Sequence, residues 1–253
     1  MTDRYRVSAN LATLANGLLG VGAVLYTLAG NKLWAMLLIA IAIGFDGLDG
    51  LLSRRSPLPS GAFGRIADSV ADATTFGVAP AVMIAVHTSN TAAWQPYATV
   101  AVVLAAVYLA AAVARLVYFT ARAHGLPYFL GVPTPQSALA LIVALLFHDT
   151  PAFQTVAPVG LLVGVVVLSV MMVVPVPYPK VKKGALLRWP MAATAVLAAL
   201  TLVPLQFRPA PGSALYTFSD IAALGFLVGV ASYYLLGPFT VDRRTPSPAA
   251  APP

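Results

Sequence analysis

Four aspartates in one short stretch of the chain have the type and the spacing of a metal-binding site. Asp46 and Asp49 are three residues apart, and Asp68 and Asp72 are four apart. Side chains at these separations lie on one face of a helix. A short segment with Ser, Arg, Pro and Gly separates the pairs, so that two antiparallel helices would bring the pairs face to face. The spacing therefore predicts a cluster of four carboxylates.

Such a cluster needs positive charge, because neighbouring carboxylates disfavour one another's ionised form. Oxygen ligands without His or Cys favour hard divalent cations, Mg²⁺, Mn²⁺ or Ca²⁺, over zinc. Two such ions about 3.5–4 Å apart are the usual clamp for displacement at phosphorus. Gly47, Gly50, Gly61 and Gly64 leave space beside the carboxylates for a phosphate or a nucleotide. The chemistry predicted is phosphoryl transfer with two Mg²⁺ or Mn²⁺ ions.

The composition places these aspartates in a membrane protein. Of the 253 residues, 59% are hydrophobic and 9% are charged, whereas an average soluble domain carries roughly 25% charged residues. The absence of cysteine excludes disulfides and thiolate metal sites. The net charge of +7 fits the basic loops of a membrane protein better than nucleic-acid binding, because no basic run interleaves with aromatic residues.

Eight apolar runs have about the length that a bilayer-spanning helix requires. They lie near residues 9–29, 33–53, 66–87, 94–120, 135–149, 155–175, 186–205 and 214–237. The sequence thus predicts an all-α integral membrane protein with eight transmembrane helices. We divide the chain into an N-terminal segment (1–8), a six-helix membrane core (9–175), a basic loop with two further helices (176–237) and a disordered tail (238–253).

Lysine and arginine indicate the orientation of these helices. With the N-terminus inside the cell, Lys32 and Arg208 lie outside and the other 13 of the 15 basic residues lie inside. Such a bias is typical of cytoplasmic loops. The protein is therefore predicted to lie in the cell membrane with both termini in the cytoplasm. The aspartates would lie at the cytoplasmic ends of the second and third helices.

The aspartate segment resembles the motif of the CDP-alcohol phosphotransferase family, D-x-x-D-G-x-x-A-R, about eight residues, then G-x-x-x-D-x-x-x-D. The matching positions here are Asp46, Asp49, Gly50, Ser53, Arg54, Gly64, Asp68 and Asp72. Ser53 stands where the family usually has Ala, and the spacer has nine residues.

The resemblance implies a role for each of these residues. Asp46, Asp49 and Asp68 would be metal ligands, and Asp72 would be both a ligand and the general base. The CDP moiety would be bound by Gly50, Ser53, Arg54 and Gly64, with Asn10 and Thr13 of the first helix. In the implied reaction an acceptor hydroxyl attacks the lipid-linked phosphorus and CMP leaves. The resemblance also suggests a homodimer.

Further segments resemble the phosphatidylserine synthases of this family and imply CDP-diacylglycerol as donor and serine as acceptor. They are residues 10–17, 75–80, 129–135 and 176–180. Arg115 is the candidate contact for an anionic group, whereas Tyr118 and Thr120 replace the Arg and Asn usual in those synthases. Inositol phosphate, glycerol phosphate, choline and an ether-lipid donor stay open as alternatives. A cation or proton transporter is the alternative of another class, although transporters carry carboxylates near mid-membrane.

Overall fold

The computed structural model of the protein describes residues 4–53, 55–56, 61–90, 92–122, 128–147, 157–179 and 212–240. The α-helices in these ranges are α1 (Arg4–Leu28), α2 (Lys32–Ser53), α3 (Ala62–Asp72), α4 (Ala79–Asn90), α5 (Ala98–Arg122), α6 (Thr134–Phe147), α7 (Ala157–Val173) and α8 (Ala214–Leu236). A π-helix (Ala73–Val78) joins α3 to α4, and 3-10 helices cover Ala92–Tyr97 and Gly237–Thr240. Two short strands, β1 (Tyr128–Leu130) and β2 (Pro177–Pro179), complete the described elements.

Most of the described helical runs have the length of a membrane span. Within the described residues, five helical runs are long and apolar enough to cross a bilayer, and α6 and α7 are shorter apolar helices. These seven match seven of the eight predicted runs, so the prediction of an all-α multi-pass membrane protein is confirmed. The remaining run, 186–205, lies outside the described residues, as do Arg54, most of the basic loop and the end of the tail.

Helix α1 presents small and polar residues to the protein and large apolar residues to its surroundings. The buried positions are Ala9, Ala12, Asn16, Gly20, Ala23 and Thr27. By contrast, Leu11, Leu14, Leu18 and Leu25 are each about 60% exposed. Small residues let membrane helices approach closely, and the lipid accommodates the large side chains. The pattern explains how α1 packs closely along α2 and the run from α3 to α4.

The fold also contains a two-stranded antiparallel ribbon, which the sequence did not predict. Strand β1 pairs with β2, with Phe129 opposite Tyr178. The turn after β1 depends on Gly131, whose φ of +70° is unfavourable for other residues and whose added Cβ would overlap the Met172 carbonyl oxygen. The ribbon therefore ties the start of α6 to the end of α7.

The π-helix lies directly after Asp72 and interrupts what is otherwise one helical run from α3 to α4. Its wider turn changes the hydrogen-bond pattern, and side chains of other helices bind it. The Thr75 hydroxyl donates to the Asn16 carbonyl oxygen (2.9 Å), and the Tyr108 hydroxyl donates to the Phe76 carbonyl oxygen (2.9 Å). Insertions of this kind are frequent at functional sites.

Candidate active site

Three of the four predicted aspartates form a compact oxygen cluster. Asp46 projects from α2, and Asp68 and Asp72 project from α3. One carboxylate oxygen of each lies within 4.8 Å of the others. The predicted juxtaposition of the two helical pairs is thus present in the fold, and the three carboxylates together are arranged so that they could hold a metal ion.

The fourth aspartate, Asp49, lies beside this cluster. Its carboxyl group is within hydrogen-bonding distance of Asp68. The Thr13 hydroxyl of α1 donates to Asp49 Oδ2 at 2.8 Å and also contacts the Ala9 carbonyl oxygen at 3.2 Å. Thr13, which the family resemblance implied as a contact of the CDP moiety, therefore orients a carboxylate in this structure.

Asn16 is a site residue that the sequence reasoning did not identify. Its side-chain amide is completely buried and donates from Nδ2 to Asp72 Oδ1 at 2.8 Å. Its Oδ1 is buried without a hydrogen-bond partner among the described residues. The signal was in the sequence, since Asn16 follows Thr13 by three residues and shares its helix face.

Arg115 of α5 is a buried basic residue that interacts with this cluster. It is 8% exposed, and its Nη1 donates to the Thr134 hydroxyl at the start of α6 at 2.8 Å. The guanidinium also interacts electrostatically with Asp72 and Asp46. The candidate anionic contact predicted from the sequence is therefore next to the aspartates, held by a hydrogen bond from a second helix.

The donor set suits divalent cations. The four carboxylates interact with one another electrostatically, and the one charge of Arg115 offsets only part of their negative charge. Asp68 Oδ1 is buried without a hydrogen-bond partner among the described residues. Hard oxygen ligands with unmet coordination capacity are the ligands that Mg²⁺ and Mn²⁺ prefer. The residues present thus fit a divalent metal centre.

The residues predicted to bind the CDP moiety are only partly brought together. Gly50, Ser53 and Gly64 lie partly exposed near the ends of α2 and α3, and the Ser53 hydroxyl donates to the Gly50 carbonyl oxygen (3.3 Å). A methyl group added at Gly64 would meet no atom within 4 Å, so open space borders the helix there. Asn10 is exposed, and Arg54 lies outside the described residues.

Tyr118 and Thr120, the two substituted positions in the fourth predicted span, belong to the last turns of α5. Tyr118, which stands where serine-using relatives usually carry Arg, is 46% exposed. Thr120 belongs to α5, but its side chain lies outside the described part of the structure. An exposed Tyr near a helix end suits the membrane interface. Among the described side chains of this segment, Arg115 is the one that interacts with Asp72 and Asp46.

The aspartate cluster lies on two helical runs that are long and apolar enough to cross a bilayer, and three of its carboxylates are placed so that they could hold a metal ion. Residues 6–176 match the model of the CDP-alcohol phosphatidyltransferase family. The chain belongs to the CDP-alcohol phosphatidyltransferase family and is a transferase of that class. The match ends before α8, which begins at Ala214.

Several proteins are similar to this chain over most of the family segment. The CDP-diacylglycerol–serine O-phosphatidyltransferase of Bacillus subtilis (strain 168) is 30% identical over 178 residues, covering 69% of this chain and 91% of that protein. The enzyme of the same name from Helicobacter pylori (strain J99) is 28% identical, covering 69% and 72%. The archaetidylserine synthase of Methanothermobacter thermautotrophicus is 26% identical, covering 68% and 69%.

Proposed function

We propose that this chain transfers the phosphatidyl group of CDP-diacylglycerol to the hydroxyl of L-serine, giving phosphatidylserine and CMP. The observation that carries the proposal is the cluster of Asp46, Asp68 and Asp72, whose carboxylate oxygens lie within 4.8 Å of one another. The acceptor is supported by the names of the similar proteins from B. subtilis and H. pylori. The activity would belong to phospholipid biosynthesis.

In this proposal all four aspartates bind metal ions, and one of them also accepts a proton. Asp46, Asp49, Asp68 and Asp72 would hold two Mg²⁺ or Mn²⁺ ions, with Asp49 oriented by Thr13. When bound, such ions would neutralise the diphosphate of the donor and stabilise the charge that develops during displacement. Gly50, Ser53, Arg54 and Gly64 would line the CDP pocket, where the open side of Gly64 leaves space for a ligand.

Asp72 would be the general base that accepts the proton of the acceptor hydroxyl. Asp72 is 8% exposed, which limits competition from bulk water. The hydrogen bond from Asn16 Nδ2 to Asp72 Oδ1 fixes one carboxylate oxygen and leaves the other for the acceptor or an ion. Arg115 would bind an anionic group of a substrate close to this base.

We also propose where the active site lies in the membrane and how the chains assemble. Positive charge concentrated in alternate loops supports an active site at the cytoplasmic face of the cell membrane, where a water-soluble acceptor and CMP can exchange. The six-helix core of residues 9–175 would hold the catalytic residues, and residues 176–237 would add two helices to it. The family resemblance supports a homodimer.

An ether-lipid donor is the second candidate. The similarity to an archaetidylserine synthase is the observation that favours it. The aspartate chemistry would be unchanged, because the displacement at phosphorus does not involve the hydrocarbon chains. The donor is therefore decided by the lipid-binding surface rather than by the carboxylates.

The test is product identification with purified protein in bilayers. CDP-diacylglycerol and Mg²⁺ or Mn²⁺ are supplied with isotopically labelled serine, inositol phosphate, glycerol phosphate or choline, each separately. We expect labelled phosphatidylserine and an equal amount of CMP with serine. A labelled product from a different acceptor would overturn serine while preserving the chemistry. No product from any acceptor, with diacyl or ether donor, would contradict the proposal and favour the transporter alternative.

A further inference from the structure

The last described helix, α8, packs against the family core although the family match ends before it. Tyr178 of strand β2 is buried and donates a hydrogen bond from its hydroxyl to the Tyr234 carbonyl oxygen at 3.3 Å. Burial raises the pKa of the Tyr178 hydroxyl, so that it stays protonated as a donor. The Tyr234 hydroxyl lies beside Ser137 of α6. These contacts fix the rotation of α8 against the ribbon and α6.

Tyr233, the residue before Tyr234 in α8, packs against the same ribbon. The Tyr233 ring stacks on Tyr178 with centroids 5.5 Å apart and an interplanar angle of 27°. Its phenol interacts electrostatically with the Arg115 guanidinium, which in turn interacts with Asp72 and Asp46. Tyr233 is only partly buried, unlike Tyr234. A phenolic hydroxyl that interacts electrostatically with a buried guanidinium, on a side chain that keeps some access, is suited to contact a ligand.

Arg115 and Tyr233 are both held by the part of the fold that contains the ribbon and the first turn of α6. The Thr134 hydroxyl accepts the hydrogen bond from Arg115 Nη1 at the start of α6. Tyr178, which stacks on Tyr233, pairs with Phe129 in the ribbon, five residues before the same helix begins. Both side chains are thus pre-positioned by one structural unit, the ribbon with the first turn of α6. Pre-positioning lowers the entropy that a bound ligand must remove.

We propose that Tyr233 of α8 is a substrate-binding residue of the transferase, which together with Arg115 binds the acidic group of the acceptor. For serine that group is the carboxylate, and this inference rests on the proposed function for that assignment. A guanidinium and a phenolic hydroxyl are both hydrogen-bond donors, and a carboxylate accepts from both. The helix beyond the family segment would then determine acceptor affinity.

The test compares Tyr233→Phe with Tyr216→Phe in the full-length protein in bilayers. Both substitutions remove one hydroxyl from the same helix, but Tyr216 lies at the opposite end of α8. The Tyr233→Phe ring can still stack on Tyr178. Loss of a hydrogen bond to a charged group predicts a KM for serine raised about 10-fold or more. The KM for CDP-diacylglycerol and the unfolding temperature should stay unchanged, as should all constants of Tyr216→Phe.

Two results would overturn the inference. One is an unchanged acceptor KM in Tyr233→Phe, and the other is a parallel loss of kcat and donor affinity with a lower unfolding temperature, which indicates a structural role. The proposed function is tested separately by the acceptor that the wild-type protein uses. The effect of Tyr233→Phe is then the ratio of its acceptor KM to that of the wild type, measured with whichever acceptor supports turnover. Turnover with choline alone, which has no acidic group, would contradict the inference as well as the serine assignment.

Discussion

Asn16 of α1 donates a hydrogen bond of 2.8 Å to Asp72 of α3 across 56 positions of sequence. The bond joins the helix that carries Thr13 to the helix that carries the proposed base. The same residue accepts a hydrogen bond at its backbone carbonyl from Thr75, in the π-helix that follows Asp72. Asn16 therefore holds the Asp72 segment through both its side chain and its backbone.

We expect Asn16→Ala to lower kcat by about 10-fold to 100-fold while the protein stays folded. A hydrogen bond to a charged group contributes about 1.5–3 kcal/mol, and its loss leaves the Asp72 carboxylate free to turn away from the acceptor. The measurement is CMP release at saturating substrates. Asn90→Ala, at the exposed end of α4, is the control and should match the wild type. A kcat of Asn16→Ala within about two-fold of wild type would refute the orienting role.

Divalent cations should stabilise the folded protein through the aspartate cluster. A ligand that binds the native state at 100 times its Kd stabilises it by about 2.7 kcal/mol. We expect Mg²⁺ or Mn²⁺ to raise the unfolding temperature of chelator-treated protein, and Asp68→Asn or Asp46→Ala to reduce that increase strongly. Asp220→Asn, on α8 away from the cluster, should respond as the wild type does. An equal response in all of these variants would argue against the proposed ligands.

The close approach of α1 to the π-helix predicts a stability effect at Gly20. A Cβ added there would lie 2.8 Å from Thr75 Cα, a backbone atom that cannot move without shifting the π-helix. Overpacking of this kind costs about 1–3 kcal/mol, so Gly20→Ala should lower the unfolding temperature and the activity together. Gly44→Ala, whose Cβ would meet nothing within 4 Å, is the matched control. Identical unfolding of the two variants would contradict the packing described here.

The aspartate cluster could be predicted from the sequence because it depends on short-range spacing. Residues three or four apart share a helix face whatever the tertiary structure. The short connection between α2 and α3 then leaves an antiparallel return as the natural arrangement. The spans were predictable for a similar reason, since a bilayer requires about 20 apolar residues in each helix.

The other features depend on contacts between distant segments. Asn16 lies on Asp72 and Tyr233 lies on Tyr178 because of the rotation of α1 and α8, and rotation follows from packing rather than from local sequence. In the π-helix the backbone hydrogen bonds after Asp72 are shifted by one residue, and the composition of that segment gives no sign of this shift. The Thr13 hydroxyl donates to Asp49, and its contact with the CDP moiety stays a prediction.

The most direct test of the account is CMP release from CDP-diacylglycerol and serine by the wild type, Asp72→Asn and Asp220→Asn, at equal amounts of folded protein with Mg²⁺ or Mn²⁺. Asp72→Asn keeps the size of the side chain but removes the base and one ligand charge, while Asp220→Asn makes the same change on α8. We expect Asp72→Asn to lose about 100-fold or more of the rate, in line with the loss of a general base. Asp220→Asn should remain near wild type. Near-normal CMP release by Asp72→Asn would contradict the role of this carboxylate and the mechanism built on it.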